Sequence, residues 1–171
     1  MVRFTQATKN TCIIDGTIDG LSPGEHALAI HECGDLSGGC DTVGGHFNPR
    51  NTRHGSPVDS EEARHVGDLG NVIADEKGRA EFQFDDNLVK VNDIIGRSIV
   101  ISNGSDDLGR GTSQMSKVNF KCLLKFLTGV VIYKRKHSIW LLKHFFLLFI
   151  FSISPKRAFS ATKIAEAGNA L

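Results

Sequence analysis

No Cys-x-x-Cys or Cys-x-Cys pair occurs among the four cysteines, Cys12, Cys33, Cys40 and Cys122, so the chain has no motif for holding zinc or copper through paired thiolates. The N-terminal residues contain no apolar segment resembling a secretion signal, and reduced thiols in a cytoplasmic protein are the expectation. No apolar run reaches the roughly 20 residues of a membrane span. The strongest candidate, Ile139 to Phe151, is short and is interrupted by Lys143 and His144, so a membrane partner through this segment is the weaker reading.

Basic residues are scarce in the first two thirds of the chain. Residues 1–118 carry 11 Lys or Arg against 18 Asp or Glu, whereas residues 119–171 carry 9 against 1, so a formal net charge of +1 conceals halves of −7 and +8. Nucleic acid is excluded as a partner of the acidic part, because phosphate binding needs a basic surface there. Sixteen of the 18 glycines lie before residue 112, while seven of the 11 phenylalanines, the Trp and the Tyr follow residue 118. The break predicts a domain over 1–117 and a divergent basic and apolar tail over 118–171.

The first part reads as all-β. Val2 to Phe4, Thr11 to Leu21, His26 to His31, Arg79 to Phe84 and Ser98 to Ser102 alternate or are rich in β-branched residues, and Gly, Pro, Asn and Asp separate them. A Greek-key barrel or sandwich follows, with Ile13, Ile18, Leu28, Ile30, Phe82, Phe84, Ile99 and Ile101 as candidate core.

Between these strands lies a loop-rich stretch holding His46, His54, His65 and Asp68. Three imidazoles and one carboxylate make a complete tetrahedral set for zinc, and four protein ligands close a site in the manner of structural rather than catalytic metal. The residues alone leave open that some of the seven histidines are ordinary solvated loop residues.

The wording from Gly44 to Val72 resembles the zinc loop of the Cu/Zn superoxide dismutase family, and Asp93-Ile94-Ile95-Gly96-Arg97 and Asp106-Asp107-Leu108-Gly109-Arg110-Gly111 match the family further on. The resemblance covers about Val2 to Lys117. Cys12 to Leu21, Gly34-Asp35-Leu36 and Ile94 to Ser98 resemble most closely the dismutase-like domain of copper chaperones for superoxide dismutase. It implies a zinc-binding recognition domain that docks on a Cu/Zn superoxide dismutase subunit, or on a second copy of itself, to assist copper delivery. The family's dimer interface corresponds to Gly34, Ile95, Gly96 and Arg97. The chaperones' Met-x-Cys-x-x-Cys domain and Cys-x-Cys segment are not present in this sequence.

The same resemblance assigns His46, His54, His65 and Asp68 to zinc and Asp106 to a supporting role, hydrogen-bonding the outer nitrogen of His54. Copper fares worse. Two of the family's four copper positions hold Ala29 and Ser102, leaving His31 and the bridging His46 as a residual copper site. Two imidazoles do not hold copper through a redox cycle, so little or no dismutation is expected. His26 shares strand parity with Leu28 and Ile30 rather than with Ala29, and reads as structural.

Cys40 matches the cysteine that anchors the family's zinc loop by a disulfide, but the partner's Cys-Gly context is absent, and Cys122, between Lys121 and Leu123, does not match it. The family's last strand is missing after Lys117, which weakens docking and leaves open whether the barrel closes without it. Val118-Asn119-Phe120 can be encoded beginning with the GT of a splice donor, so a translated intron in a nonfunctional splice product is an alternative origin for the tail.

Overall fold

The computed structural model describes residues 1–112, 130–135 and 138–141. Six antiparallel strands come from the acidic part: β1 (Val2–Gln6), β2 (Cys12–Asp19), β3 (Gly24–His31), β4 (Asp68–Ala74), β5 (Arg79–Asp86) and β6 (Ser98–Ile101). Alternation sets their faces. In β1 Val2 and Phe4 are buried while Arg3 and Thr5 face water, and in β2 Cys12 and Ile14 point inward.

The sheet order is β1-β2-β5-β4-β3-β6, and two further strands, β7 (Val130–Arg135) and β8 (Ser138–Leu141), close it into a barrel by pairing β7 with β6 and β8 with β1. The side of the barrel after β6, where the resemblance implied a missing last strand, is occupied by backbone from the tail. The run Val130-Val131-Ile132-Tyr133 is β-branched and aromatic, which suits it to a strand. Cys122 and most of the apolar stretch 139–151 lie outside the described residues.

The core is built around Phe4, Ile14, Leu28, Ile30, Val72, Ala80, Val89, Ile94, Ile99 and Ile101. Full burial of side chains the size of Phe4, Ile14 and Ile30 stabilises the fold by about 1.5–3 kcal/mol each. Three expectations shift. Ile18, expected in the core, is only partly buried and packs against it. Ile14, not Ile13, fills the interior, and Phe82 and Phe84 are half-buried, stacked on each other at 5.9 Å along the edge of the core.

Strand β3 positions the functional region. From Ala27 to His31 it is buried on both faces, with Leu28 and Ile30 toward the core and the opposite face covered by the long connection between β3 and β4. That connection holds one helical turn, α1 (Cys40–Val43), and is laced to β3 by backbone bonds. Phe47 N donates to Ile30 O (2.8 Å), Gly67 N to Phe47 O (2.9 Å) and Ile30 N to Gly67 O (2.9 Å). Gly67 is required at this crossing, because a Cβ there would lie 2.3 Å from Ile30 O and 2.8 Å from Phe47 N.

Candidate metal centre

His46 is carried out of α1 and pairs by an isolated bridge with His31 at the end of β3. His54 and His65 come from the loop beyond it, and Asp68 opens β4. All four side chains are buried, and their candidate ligand atoms lie within 4.8 Å of one another.

The geometry converges on Asp68. Its Oδ1 lies 2.7 Å from His46 Nδ1, 3.0 Å from His54 Nδ1 and 3.2 Å from His65 Nδ1. Its Oδ2 is tied to the backbone, accepting from His65 N (2.8 Å) and Gly55 N (3.1 Å). Although His54 Nδ1 and His65 Nδ1 are close enough to Oδ1 for a bond, their directions are wrong for N–H···O, and both are buried without a hydrogen-bond partner. Donor atoms about 3.3 Å apart form the edges of a tetrahedron around an ion about 2 Å from each, so these residues fit a bound cation.

The outer nitrogens fix the rings. His54 Nε2 donates to Asp106 Oδ1 (2.8 Å) and His65 Nε2 to Thr52 O (3.1 Å), which turns each Nδ1 toward the centre. Asp106 is itself held by Asn71, whose amide accepts from Asp106 N (2.8 Å) and donates to Asp106 O (2.9 Å). The guanidinium of Arg64 donates to Asp68 O (3.0 Å) and to Asp86 Oδ2 (2.7 Å), while Asp86 Oδ1 accepts from Leu88 N and Val89 N. Thus a buried ion pair ties the ligand-bearing end of β4 to the end of β5.

Burial works against charge at His54, yet the carboxylates of Asp106 and Asp68 push its imidazole up to about 10. Burial also opposes ionisation of Asp68, but the hydrogen bond from His46 and the close imidazoles of His54 and His65 outweigh it and hold the carboxyl far below the usual range. His31 goes the other way: burial, then the neighbouring His46, lower it to about 4, so its ring is neutral, with Nδ1 donating to Gly44 O (2.8 Å).

The remaining predicted residues divide. His31 and His46 stay together, ring centroids 5.0 Å apart. Ala29 offers no donor atom, and the Ser102 hydroxyl is spent on backbone, donating to Gly104 O and accepting from Ala27 N (3.1 Å). His26 donates through Nδ1 to Ser102 O (2.7 Å), and its Nε2 lies 2.8 Å from Ser22 O. Gly34 is half-buried, while Ile95 and Gly96 are exposed on the turn before β6. Arg97, expected at a docking surface, is engaged within its own chain, over the Phe47 ring and on two carbonyls. Cys40 opens α1.

The family described as copper/zinc superoxide dismutase (SODC) matches residues 1–122. The chain belongs to the copper/zinc superoxide dismutase family. It is 51% identical over 131 residues to the copper chaperone for superoxide dismutase of Sus scrofa and 50% to that of Homo sapiens, in each case covering 77% of this chain and 47% of the relative. It therefore spans about half the length of these relatives. It is also 48% identical over 135 residues to Superoxide dismutase [Cu-Zn] 5 of Dictyostelium discoideum, covering 77% of this chain and 88% of that protein. Among solved structures, the clock protein EA4 superposes with a TM-score of 0.67 at 34% identity, over 82% of this chain and 83% of that one. Membership accounts for the barrel and the histidine-rich loop together.

Sequence reasoning overlooked Arg64, Asp86 and Asn71. Arg64 stands beside His65, the one local signal available. Its partner Asp86 and the Asn71–Asp106 pair are joined only by the fold.

Proposed function

We propose that this domain is a zinc-binding recognition module of the copper-chaperone type, which docks on a Cu/Zn superoxide dismutase subunit in the cytoplasm and helps copper reach it, copper being cargo and not a resident cofactor. The observation that carries this reading is the contrast between two halves of one site. His46, His54, His65 and Asp68 converge as a closed set of nitrogen and oxygen donors, the set that suits zinc. Ala29 and Ser102 supply nothing to the adjoining half, where only His31 and His46 remain.

Zinc at this centre fastens the loop to the barrel. Because the four protein ligands leave no open position, it activates no water. Gly34 and the exposed Ile95–Gly96 turn form the docking surface, on which Ile95 is 39% exposed. Such a surface acts by presenting the same patch that the client subunit presents to itself. The homodimer uses the same patch.

A second reading has one observation in its favour: the match to the Dictyostelium dismutase spans 88% of that protein. On that reading the chain is a degenerate dismutase in which His31 and His46 hold copper with two further donors. Elemental analysis of the full chain purified without added metal separates the readings. About one zinc and no copper per chain supports the recognition module. Stoichiometric copper with superoxide-consuming activity supports the dismutase, and absence of both metals removes the first proposal.

A further inference from the structure

Arg97 occupies an unusual position for a residue of an exposed turn. Its Nε donates to Asp93 O (2.7 Å), its Nη1 donates to Glu32 O (2.6 Å), and its guanidinium lies 3.7 Å from the centroid of the Phe47 ring. Glu32 directly follows His31, and Phe47 directly follows His46. These two histidines are bridged in the backbone, and the pairing continues outward through Glu32 N to Gly45 O (3.0 Å). The guanidinium thus covers the outer end of the strand pair that carries both histidines. Its own backbone is fastened to the turn through Arg97 N to Ile94 O (3.1 Å), with Ile95 and Gly96 exposed between them.

We propose that Arg97 is a positioning residue of the metal centre, holding Phe47 and Glu32 so that His46 keeps its place facing Asp68, and joining the exposed Ile95–Gly96 turn to that centre. The proposal rests on the reading of His46, His54, His65 and Asp68 as metal ligands. The chemistry is specific to arginine. A planar, permanently charged group with several fixed donors can lie on an aromatic face while bonding two carbonyls in different directions. Lysine has one ammonium and cannot do both. Phe47 has little freedom of its own, since its N and O are committed to Ile30 and Gly67. Displacement of its ring is therefore transmitted to the adjacent His46 backbone.

Cobalt(II), titrated into the full chain after chelator treatment, tests this through its visible absorption as well as its affinity. Arg97→Gln is expected to weaken cobalt binding about tenfold, the scale for groups that orient metal ligands, and to change the d–d band shape. Phe47→Leu, which keeps the backbone pairing, should weaken it less. The double variant should bind about as well as Arg97→Gln alone, because both remove one contact. Melting in chelator is measured beside each. A lowered melting temperature with unchanged cobalt affinity and spectrum would mean a merely structural arginine and overturn the proposal. Should Arg97→Gln fail to fold, unchanged affinity and spectrum in Phe47→Leu overturns it equally. If the unsubstituted chain binds no cobalt, the metal-centre reading falls, and this proposal with it.

Discussion

Replacing Asp68 with asparagine removes one candidate ligand with almost no change of shape. The new carbonyl can keep the bonds from His65 N and Gly55 N that Asp68 Oδ2 now accepts, but this turns the amide NH2 toward His46, His54 and His65. An amide nitrogen is no ligand. Structural zinc sites with four ligands bind with about 10–16 kcal/mol. One ligand is thus worth about 2.5–4 kcal/mol, or about 100–1,000-fold in affinity. With zinc at 1,000 times the wild-type dissociation constant, the metal should stabilise the wild-type fold by about 4 kcal/mol; in a variant weakened 300-fold the gain drops to about 1 kcal/mol. Competition against a chromogenic chelator reads the first quantity, and denaturant unfolding with and without zinc the second. Affinity within about threefold of wild type would refute the assignment of Asp68 as a ligand. The same variant has a signature in chelator. The carboxyl is depressed in the folded state, so its stabilisation is present above the unfolded value of about 4 and is lost as pH falls through the folded value. Asp68→Asn should flatten that acid limb.

Zinc binding should release a proton from His54, whose imidazole is held up to about 10 and is therefore protonated at neutral pH. Affinity should rise with pH up to about 10, and calorimetry at pH 7.5 in buffers of different ionisation enthalpy should show about one proton released; buffer-independent heats would contradict this. Breaking the buried pair with Arg64→Met or Asp86→Leu alone should cost about 3–5 kcal/mol, whereas the double variant should recover most of it in denaturant unfolding, since the penalty is an uncompensated buried charge. Placing histidine at the two positions that the family resemblance implies for copper, with Ala29→His and Ser102→His, should let the chain hold copper in addition to an ion at His46, His54, His65 and Asp68, read as metal stoichiometry. Copper content unchanged in the folded double variant would show that the substituted positions are not what excludes it.

The four candidate ligands could be named from residue types, three imidazoles and one carboxylate, but it was the resemblance to the family's zinc loop that set them apart from ordinary loop histidines. The surroundings were less legible. Arg64 and Asp86 are separated by two strands' worth of chain, and nothing in either residue's neighbours marks the other. Ile13 and Ile14 are adjacent and both apolar, so alternation alone does not choose which faces inward; the pairing of Ile14 with Phe4 and Phe84 does. Phe82 and Phe84 alternate as core residues do, yet share an edge with solvent. Arg97 was assigned to a docking surface by the family resemblance, together with Gly34, Ile95 and Gly96, while its long side chain reaches back to Phe47. The strands at Val130–Arg135 and Ser138–Leu141 were obscured by a composition break that drew attention to the tail as foreign. Their β-branched residues carried the local signal all the same.

The crossing of Ile30, Phe47 and Gly67 changes how the loop's order should be counted. A chain segment tethered only by an ion must surrender its closure entropy when the ion arrives, and that cost grows with the logarithm of the segment's length. Here the three residues are bonded in a ring, so the stretch from Phe47 to Gly67 is already drawn shut at its neck by the backbone. What the ion then has to restrain is the interior of a closed noose, not two free arms.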